Sequence, residues 1–418
     1  MKKNYFIVGL IFLVFFVISF LTNILGPIIP DIIESFSLSL TMAAFLPFSF
    51  FIAYGVMSIP AGMLVEKYGE KFVMVASFVF ATTGALLFSL FPVFSVALPS
   101  LFLIGIGMAM LQVAINPLLR AAGGESSFAF NSVLAQLIFG GASFLSPIVY
   151  SYLVTNLKNP VKDQNILLST LAGIVPKELP WVSLYWIFAF VSLVMIVLLA
   201  ISKFPKVELQ EDEKASTWDV YKILFKKKIV WLYFIGIFAY VGTEQGVANW
   251  ISEFLHKYHG LNPQTVGAHT VSLFWGLLTA GCLLGLVLLK LWDSRKILIL
   301  FSIAAIISLV VSLFSSEDVA VYSFPMIGFF ASVMWSIVFS LALNSFSEHH
   351  GAFSGILVTG IIGGAVVPLI IGGIGDIIGL RYGMFFLFIT LGYILSIGIW
   401  AKPLITNETI SFGNKKEK

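Results

Sequence analysis

Long apolar stretches alternate with short polar connections along the whole chain, and twelve of these stretches approach or exceed twenty residues. An α-helix needs about 20 mostly apolar residues to cross a bilayer. A membrane barrel would instead show segments of about ten residues in which apolar and polar positions alternate. The pattern therefore predicts an all-α integral membrane protein with twelve transmembrane helices. The predicted segments, numbered 1 to 12, cover residues 4–33, 42–65, 71–92, 95–119, 128–156, 182–202, 229–255, 266–289, 295–315, 319–345, 352–375 and 381–401.

The composition agrees with a membrane protein and excludes several other classes of protein. Of 418 residues, 59% are hydrophobic and only 11% are charged, whereas a soluble protein carries about 25% charged residues. Such a chain excludes a soluble enzyme, a disordered protein and a nucleic-acid-binding protein. The single cysteine, Cys282, excludes both a disulfide framework and a cysteine-based metal site. Segment 1 is too long for a cleaved signal peptide, so we expect it to remain in the protein.

The basic residues predict the orientation of the segments. With the N-terminus in the cytoplasm, all but five of the 24 Lys and Arg residues fall in cytoplasmic connections and tails. The five on the outer side are Lys158, Lys162, Lys177, Lys257 and Arg381. Because positive residues concentrate on the cytoplasmic side of membrane proteins, we predict that both termini are cytoplasmic. We expect a multi-pass protein of a bacterial cytoplasmic (inner) membrane.

A charged connection, Lys203 to Lys228, divides the twelve segments into two sets of six. We predict an N-terminal six-helix bundle at 1–203, a cytoplasmic central loop at 204–228, and a C-terminal six-helix bundle with a cytoplasmic tail at 229–418. The other long connection, at 157–181, is predicted to lie outside.

The connection between segments 2 and 3 carries a distinctive charged turn. It reads Gly62-Met63-Leu64-Val65-Glu66-Lys67-Tyr68-Gly69-Glu70-Lys71. With Glu66 in place of an aspartate, it resembles the major facilitator signature Gly-x-Leu-x-Asp-Arg/Lys-x-Gly-Arg/Lys-Arg/Lys. The resemblance implies the major facilitator fold, with a substrate site between two six-helix halves, and a gating latch made by Gly62, Glu66, Lys67, Gly69 and Lys71. The alternative is an ordinary charged turn that obeys the positive-inside rule.

Shorter motifs follow in segments 2, 4, 5, 7 and 11. They are Phe51-Ile52-Ala53-Tyr54-Gly55, Leu111-Gln112-Val113-Ala114-Ile115-Asn116-Pro117, Leu134-Ala135-Gln136, Tyr240-Val241-Gly242-Thr243-Glu244 and Ile361-Ile362-Gly363-Gly364. Their order and spacing resemble one branch of the superfamily, the fucose–galactose–glucose:proton symporters. The resemblance implies sugar transport and brings Gln112 and Gln136 to the sugar. Asn116 is a further candidate, with a bend at Pro117 as its alternative role.

Two departures from the family concern its carboxylates. Asn23, in Thr22-Asn23-Ile24-Leu25-Gly26-Pro27, and Gln112 replace the acids that handle the proton and contact the sugar in the fucose permeases. An amide retains hydrogen-bonding capacity but takes up no proton near neutral pH. Cys282 stands where many relatives carry an arginine. These replacements argue against proton coupling by the family's usual route, and they leave Asn23 as a candidate sugar contact.

Glu244 is the only clearly central acid of the twelve segments. Since ionisable groups inside a membrane are costly and usually functional, we predict that Glu244 couples transport to an ion, with Thr243 as a further oxygen ligand. Gly242 and Gly246 flank this site, and we expect the helix to loosen there. The alternative is a structural carboxyl that is paired or neutral. We favour Na⁺ over H⁺ because the amide replacements remove proton carriers yet keep oxygen ligands.

Further sugar-binding candidates combine amides with aromatic rings, since amides bond adjacent hydroxyls while a ring covers an apolar sugar face. They are Gln245, Asn249, Trp250, Trp275 and Trp335. The alternatives are interhelical hydrogen bonds for the amides and ordinary packing for the tryptophans.

The leading hypothesis is a secondary active transporter of a neutral sugar, a hexose such as glucose, galactose or fucose, that works by alternating access. A sugar uniporter and a major facilitator exporter of amphipathic compounds are the alternatives. We expect no enzymatic activity, since the segments lack a catalytic set of residues at one depth, and no cofactor beyond a coupling Na⁺ or H⁺. The expected partners are the sugar and the lipid bilayer, without nucleic acid, and the expected state is a monomer.

Overall fold

The computed structural model describes residues 4–159, 165–204, 218–345 and 350–404. Within these ranges the chain is helical almost throughout and contains no β-strand, which confirms the predicted all-α class. Each predicted segment is realised as a helix or as two or three consecutive helices, and we call these spans 1 to 12.

Spans 1 to 6 follow one another through short connections. Span 1 consists of two helices, because the chain leaves helical geometry at Asn23 and Ile24. The helices of spans 1 to 6 are Tyr5–Thr22 with Leu25–Phe36, Leu40–Tyr68, Glu70–Leu90, Phe94–Gly123, Glu125–Lys158, and Ser183–Ile201 preceded by the 3₁₀ turn Pro180–Val182. A short helix, Ile166–Ile174, lies in the predicted outer connection between spans 5 and 6.

Spans 7 to 12 begin after a second short helix, Trp218–Phe225. Their helices are Lys228–His259, Ala268–Leu291 preceded by the turn Pro263–Gly267, Ser294–Phe314, Glu317–Ala331 with Met334–Leu343, His350–Thr359 with Gly360–Ile362 and Gly363–Ile378, and Leu380–Gly383 with Phe386–Trp400. Most of the central connection and the end of the tail lie outside the described residues. The division into 1–203, 204–228 and 229–418 therefore stays a prediction.

Among the described residues, eleven helical stretches are long and apolar enough to cross a membrane. Lys228–His259, span 7, is not one of the eleven, because polar residues such as Glu244, Gln245 and Asn249 interrupt its apolar sequence. It is nevertheless 32 residues long and packs against spans 11 and 12 and the second helix of span 1. The count of twelve and the cytoplasmic location of both termini stay predictions.

The two halves approach each other most closely where glycine leaves room for backbone. A Cβ atom at Gly26 of span 1 would lie 2.2 Å from the carbonyl oxygen of Ala248 in span 7. A Cβ atom at Gly372 of span 11 would lie 2.7 Å from the carbonyl oxygen of Leu40, where span 2 begins. Spans 5 and 8 are also joined, since the Ser272 hydroxyl donates to the Phe144 carbonyl at 2.7 Å. Through these contacts the two halves touch from the middle of the spans to the predicted outer end.

The expected loosening of span 7 is wrong, since Lys228–His259 is one uninterrupted α-helix through Gly242 and Gly246. The two glycines serve close packing instead. A Cβ atom at Gly242 would lie 2.3 Å from Cγ2 of Val367, and one at Gly246 would lie 2.9 Å from Cδ2 of Leu387. Tight packing against spans 11 and 12 therefore keeps the helix regular where isolated glycines would weaken it.

Candidate functional site

Glu244 lies at the centre of span 7 with two hydrogen-bond donors on its carboxylate. The Tyr240 hydroxyl, one helical turn earlier, donates to Oε2 at 2.7 Å. The Gln245 amide nitrogen donates to Oε1 at 3.1 Å. Glu244 is partly exposed, whereas Gln245 is buried. A carboxylate has about four lone-pair positions, so the two donors leave further positions for a cation, a proton or a hydroxyl group.

Cys282 of span 8 is half-buried and lies near Glu244 of span 7. Its thiol donates to the Ser332 carbonyl at 3.3 Å. Among the described residues Glu244 forms no ion pair, and the hydrogen-bond partners of its carboxylate are Tyr240 and Gln245. The carboxylate is thus held by neutral donors.

Thr243 does not face the carboxylate. Its hydroxyl is buried between spans 7 and 12, where it lies 2.8 Å from the Ala239 carbonyl and 2.6 Å from the Thr390 hydroxyl. Adjacent residues of an α-helix project about 100° apart, and this places Thr243 and Glu244 on different faces.

Gln245 and Asn249 lie on one face of span 7, at the junction of the two halves. A Cβ atom at Gly364 of span 11 would lie 3.1 Å from Cγ of Gln245 and 3.2 Å from the Phe51 ring of span 2. A Cβ atom at Gly26 of span 1 would lie 3.3 Å from Cα of Asn249. The predicted amide pair therefore lies between span 7 and the N-terminal half.

Two buried hydrogen-bond donors near this junction have no partner within the described residues, namely the Asn249 amide nitrogen and the Trp275 indole nitrogen of span 8. The Tyr54 hydroxyl of span 2 is buried nearby, against span 1. Each of these residues is at most 4% exposed. Leaving a buried donor unsatisfied costs about 1–3 kcal/mol. Such donors are suited to a polar ligand that supplies acceptors.

Tyr54 was not among the residues selected from the sequence. It lies at the middle of Leu40–Tyr68, inside the motif Phe51-Ile52-Ala53-Tyr54-Gly55 singled out in the sequence, and that position was the available signal. Its phenol ring stacks on Phe51 with ring centroids 6.0 Å apart. Only the structure shows that this hydroxyl is buried at the junction of the halves.

The other tryptophans differ in their surroundings. Trp250 is fully buried, and its indole nitrogen donates to the Pro368 carbonyl at 3.3 Å, so it packs between spans 7 and 11. Trp335 of span 10 is partly exposed and lies between the rings of Tyr240 and Phe339, at 5.9 and 5.8 Å. Trp335 is therefore adjacent to Tyr240 and the Glu244 group. Trp250 instead packs against span 11, away from that group.

Asn23 lies at the break in span 1 and bonds within the N-terminal half. Its amide nitrogen donates to the Ser143 hydroxyl of span 5 at 2.8 Å. Ser19 joins the same group through the Phe139 carbonyl and Ser143, at 2.5 and 2.6 Å. This buried network fixes span 1 against span 5.

The remaining predicted amides lie toward the predicted cytoplasmic side. Gln136 and Asn116 are exposed and Gln112 is partly exposed. No hydrogen bond within the described residues joins them to the Glu244 group. Polar side chains inside membrane spans face the bundle interior or a water-filled cavity. The structure thus separates these three amides from the Glu244 group, and their role at the sugar stays a prediction.

The charged turn between spans 2 and 3 is built as its sequence suggests. Gly69 has φ +80°, a geometry that favours glycine, and Gly62 precedes it on span 2. Glu66 and Lys67 are exposed. Lys71 donates to the carbonyl oxygens of Ala200 and Ser202, both at 2.8 Å. Lys71 thus binds the C-terminal end of span 6, where a positive charge is favourable.

The predicted outer end contains two acids, Asp31 and Asp376, that were not among the residues selected from the sequence. Asp31 is buried at 4% exposure and accepts hydrogen bonds from Tyr150 and, at 2.6 Å, from Gln264. Asp376 accepts from the backbone N–H groups of Leu40 and Thr41, both at 2.8 Å. The contact of Asp31 with Gln264 joins the two halves, and so do the contacts of Asp376 with the start of span 2.

The described residues contain no group of three or more His, Cys, Asp and Glu side chains that could hold a metal ion. The arrangement instead offers amides, aromatic rings, hydroxyls and one carboxylate between two helical bundles.

Comparison with known proteins relates both the sequence and the fold to transporters. The family model of the Major Facilitator Superfamily matches residues 11–361. The chain is 31% identical over 404 residues to a glucose/galactose transporter of Brucella abortus biovar 1 (strain 9-941), covering 95% of each chain. It is 23% identical to the L-fucose-proton symporter of Escherichia coli (strain K12), covering 87% of this chain and 86% of that one.

Among solved structures, the major facilitator transporter FucP in the outward conformation superposes with a TM-score of 0.67 at 20% sequence identity. The superposition covers 94% of this chain and 98% of that chain, and it supports the same fold.

Proposed function

The chain belongs to the Major Facilitator Superfamily, and from that premise we propose that it is a secondary transporter of a neutral hexose that works by alternating access. The chain is a multi-pass inner-membrane protein and a transporter rather than an enzyme. The names of its relatives support a sugar, and in particular glucose or galactose, as the cargo. Because one chain supplies both halves, we propose that it acts as a monomer.

The observation that carries the proposal is the set of buried polar groups on Tyr54, Asn249 and Trp275, of which the Asn249 amide nitrogen and the Trp275 indole nitrogen lack a partner among the described residues. They come from spans 2, 7 and 8, and therefore from both halves. A site whose polar groups are satisfied only by ligand discriminates strongly against analogues that lack the matching group. Sugar hydroxyls supply such acceptors, and the aromatic rings of Trp275 and Trp335 suit the apolar face of a hexose.

The distribution of basic residues supports a neutral cargo. The lysines and arginines of the described spans lie near span ends, as Lys71 and Lys290 do. A carboxylate or phosphate at mid-membrane would want a cationic partner or a helix N-terminus. The amides Gln245 and Asn249, by contrast, suit hydroxyl groups.

We propose that Glu244 couples sugar movement to an ion, and that Na⁺ is preferred over H⁺. Asn23 and Gln112 stand where the fucose permeases carry acids, so Glu244 is the remaining central carboxyl. Its oxygens accept hydrogen bonds from Tyr240 and Gln245, and hard cations such as Na⁺ favour oxygen ligands. The carboxylate and the Gln245 carbonyl are the nearest candidates, since the Thr243 hydroxyl bonds Thr390 instead.

The test is uptake of labelled glucose, galactose and L-fucose into proteoliposomes that contain the purified protein. An inward Na⁺ gradient and an inward proton gradient are imposed separately at the same membrane potential. We expect accumulation of a hexose above its external concentration under the Na⁺ gradient. Equilibration without accumulation under both gradients would identify a uniporter, and failure to transport any hexose would overturn the proposal.

A further inference from the structure

The buried carboxylate Asp31 connects the two halves at the predicted outer end. It lies in the second helix of span 1 and is bonded within its own half by the Tyr150 hydroxyl and by Lys158, whose Nζ is 3.8 Å from Oδ1. The same Oδ1 accepts a 2.6 Å hydrogen bond from the amide of Gln264. Gln264 belongs to the turn Pro263–Gly267, where span 8 begins. One bond of Asp31 therefore crosses to the C-terminal half.

A second carboxylate makes the reciprocal connection. Asp376 lies near the end of span 11, in the C-terminal half, and its Oδ1 and Oδ2 accept from the backbone N–H groups of Leu40 and Thr41 at 2.8 Å each. The Thr41 hydroxyl donates to Oδ2 as well. Leu40 and Thr41 are the first two residues of span 2. The first N–H groups of a helix lack intrahelical partners, so the other half supplies their acceptor.

The two connections occupy corresponding places. Span 2 is the second span of the N-terminal half and span 8 is the second span of the C-terminal half. The start of each is bonded to a carboxylate of the opposite half, Asp376 for span 2 and Asp31 for span 8. Helix N-termini carry partial positive charge that favours a carboxylate. The pairing is therefore reciprocal as well as electrostatically matched.

We propose that Asp31 and Asp376 are positioning residues of the transport cycle, which clamp the outer ends of the two halves together and release them when the outer side opens. The inference rests on the proposed function, because alternating access requires the outer ends to separate. We call Asp31 with Gln264, and Asp376 with Thr41, the outer clamp. The clamp lies two turns or more from the Glu244 group along the spans, so it acts on the equilibrium between states and leaves the sugar contacts intact.

The bonds within one half make a selective test possible. In Gln264→Ala, Asp31 keeps Tyr150 and Lys158 and loses only its partner across the halves. In Thr41→Val, Asp376 keeps the two backbone donors and loses only the hydroxyl. Asp376→Asn removes the charge that the start of span 2 attracts. Tyr150→Phe breaks a bond of Asp31 inside the N-terminal half and serves as the contrast to Gln264→Ala.

The experiment measures the separation of the outer ends by electron–electron double resonance. Spin labels are attached through Val93→Cys in the N-terminal half and Ser316→Cys in the C-terminal half, in a Cys282→Ser background. Val93 and Ser316 are exposed residues at the predicted outer end. Glu178→Gln removes a negative charge from an exposed outer residue and is the control for charge alone.

We expect Gln264→Ala and Asp376→Asn each to raise the ratio of long to short label distances by about tenfold or more, because a hydrogen bond to a charged group contributes about 1.5–3 kcal/mol. Thr41→Val should shift the ratio in the same direction by less, and the double variant Gln264→Ala/Asp376→Asn by more. Glu178→Gln should leave the distances as they are in the parent.

An unchanged distance distribution in both Gln264→Ala and Asp376→Asn overturns the outer clamp, and so does an equal shift in Glu178→Gln. An equal shift in Tyr150→Phe also contradicts it, because the bond that this variant removes lies inside one half. The distances are measured without sugar, so they report the clamp even if no hexose binds. Failure of the sugar proposal is thus separate from failure of the clamp.

Discussion

Gly242 of span 7 lies directly against Val367 of span 11. A Cβ atom at Gly242 would be 2.3 Å from Cγ2 of Val367 and 2.9 Å from its Cβ, closer than side chains approach each other. Thr243 is the single residue between Gly242 and Glu244 in the sequence. The regular geometry of span 7 at the candidate ion site therefore depends on contact with span 11.

We predict that Gly242→Ala destabilises the protein by about 1–3 kcal/mol through overpacking. The matched control is Gly392→Ala in span 12, where an added Cβ meets nothing within 4 Å and where alanine is the better helix former. Thermal unfolding in detergent should show a lower midpoint for Gly242→Ala and an unchanged or higher one for Gly392→Ala. The double variant Gly242→Ala/Val367→Ala should recover part of the loss. Equal midpoints for the two single variants would contradict the packing described for span 7.

Much of the fold was predictable because hydrophobic length specifies membrane helices. Every predicted segment, such as 42–65 for Leu40–Tyr68 or 295–315 for Ser294–Phe314, overlaps a helix or set of helices whose ends differ by a few residues. What failed was local geometry. The glycines of span 7 predicted loosening, whereas neighbouring helices fill the space beside them. The break of span 1 at Asn23 and Ile24 went unpredicted, because the long apolar run on both sides of it was interpreted as one helix, although Gly26 and Pro27 follow directly.

We predict opposite effects on stability for two buried amides. Asn249 has an unpartnered amide nitrogen, so Asn249→Leu should leave the melting temperature without sugar unchanged or higher, since replacing an unsatisfied polar group by an apolar one of similar size is not destabilising. Asn23→Leu removes a hydrogen bond to Ser143 and should cost about 1–3 kcal/mol.

The sugar-dependent part of the same measurement tests the site. Ligand that binds only the folded protein raises the melting temperature. Asn249→Leu should abolish this increase at hexose concentrations that stabilise the parent. If Asn249→Leu is destabilised as strongly as Asn23→Leu and still responds to hexose as the parent does, Asn249 is a structural amide.

The candidate site was predictable in part. Polar residues at membrane depth are identifiable from sequence, and Glu244, Gln245 and Asn249 do lie together at the junction of the halves. It was harder to predict which of these side chains face the site, because that depends on the helices packed against span 7. Thr243 bonds Thr390 of span 12, and Trp250 bonds the Pro368 carbonyl of span 11. Asp31 and Asp376 lie near segment ends, where an acid is unremarkable, and so their contacts between the halves became visible only in the structure.

We predict that Gln112→Ala and Gln136→Ala each weaken hexose binding by about 1–3 kcal/mol, through loss of hydrogen bonds to sugar hydroxyls. Gln136 is exposed and Gln112 is partly exposed, both toward the predicted cytoplasmic side. Isothermal titration calorimetry on monodisperse variants measures the affinity. Asn344→Ala, at the predicted cytoplasmic end of span 10, is the control amide. Parental affinity in both glutamine variants would remove spans 4 and 5 from the sugar site.

We predict that reversing Glu66 and Lys67 together, as Glu66→Lys/Lys67→Glu, slows exchange of sugar more than it weakens binding. Both side chains are exposed at the turn between spans 2 and 3, far from mid-membrane, so they do not contact the sugar. Counterflow rates at saturating sugar are compared with equilibrium affinity. A collapse of affinity with an unchanged saturated rate would reject a gating role for the turn.

The last prediction concerns Glu244 and the coupling ion. The isosteric variant Glu244→Gln retains an oxygen that can accept from Tyr240 or Gln245 but removes the charge that a cation would need and the site that a proton would occupy. We therefore expect Glu244→Gln to lose sugar accumulation driven by Na⁺ or proton gradients while retaining exchange of sugar down its own gradient. The readouts are gradient-driven uptake and counterflow in the same proteoliposomes.

The control is Glu317→Gln, an exposed acid at the predicted outer end of span 10, which should accumulate sugar as the parent does. A Glu244→Gln variant that accumulates sugar at the parental rate would show that the carboxyl is structural. The effect of Na⁺ on hexose affinity distinguishes Na⁺ coupling from proton coupling. If Na⁺ is the coupling ion, it should raise the hexose affinity of the parent, and by reciprocity hexose should raise the affinity for Na⁺ by the same factor. Both effects should vanish in Glu244→Gln, because the carboxylate beside Tyr240 and Gln245 is the charge on which the coupling depends.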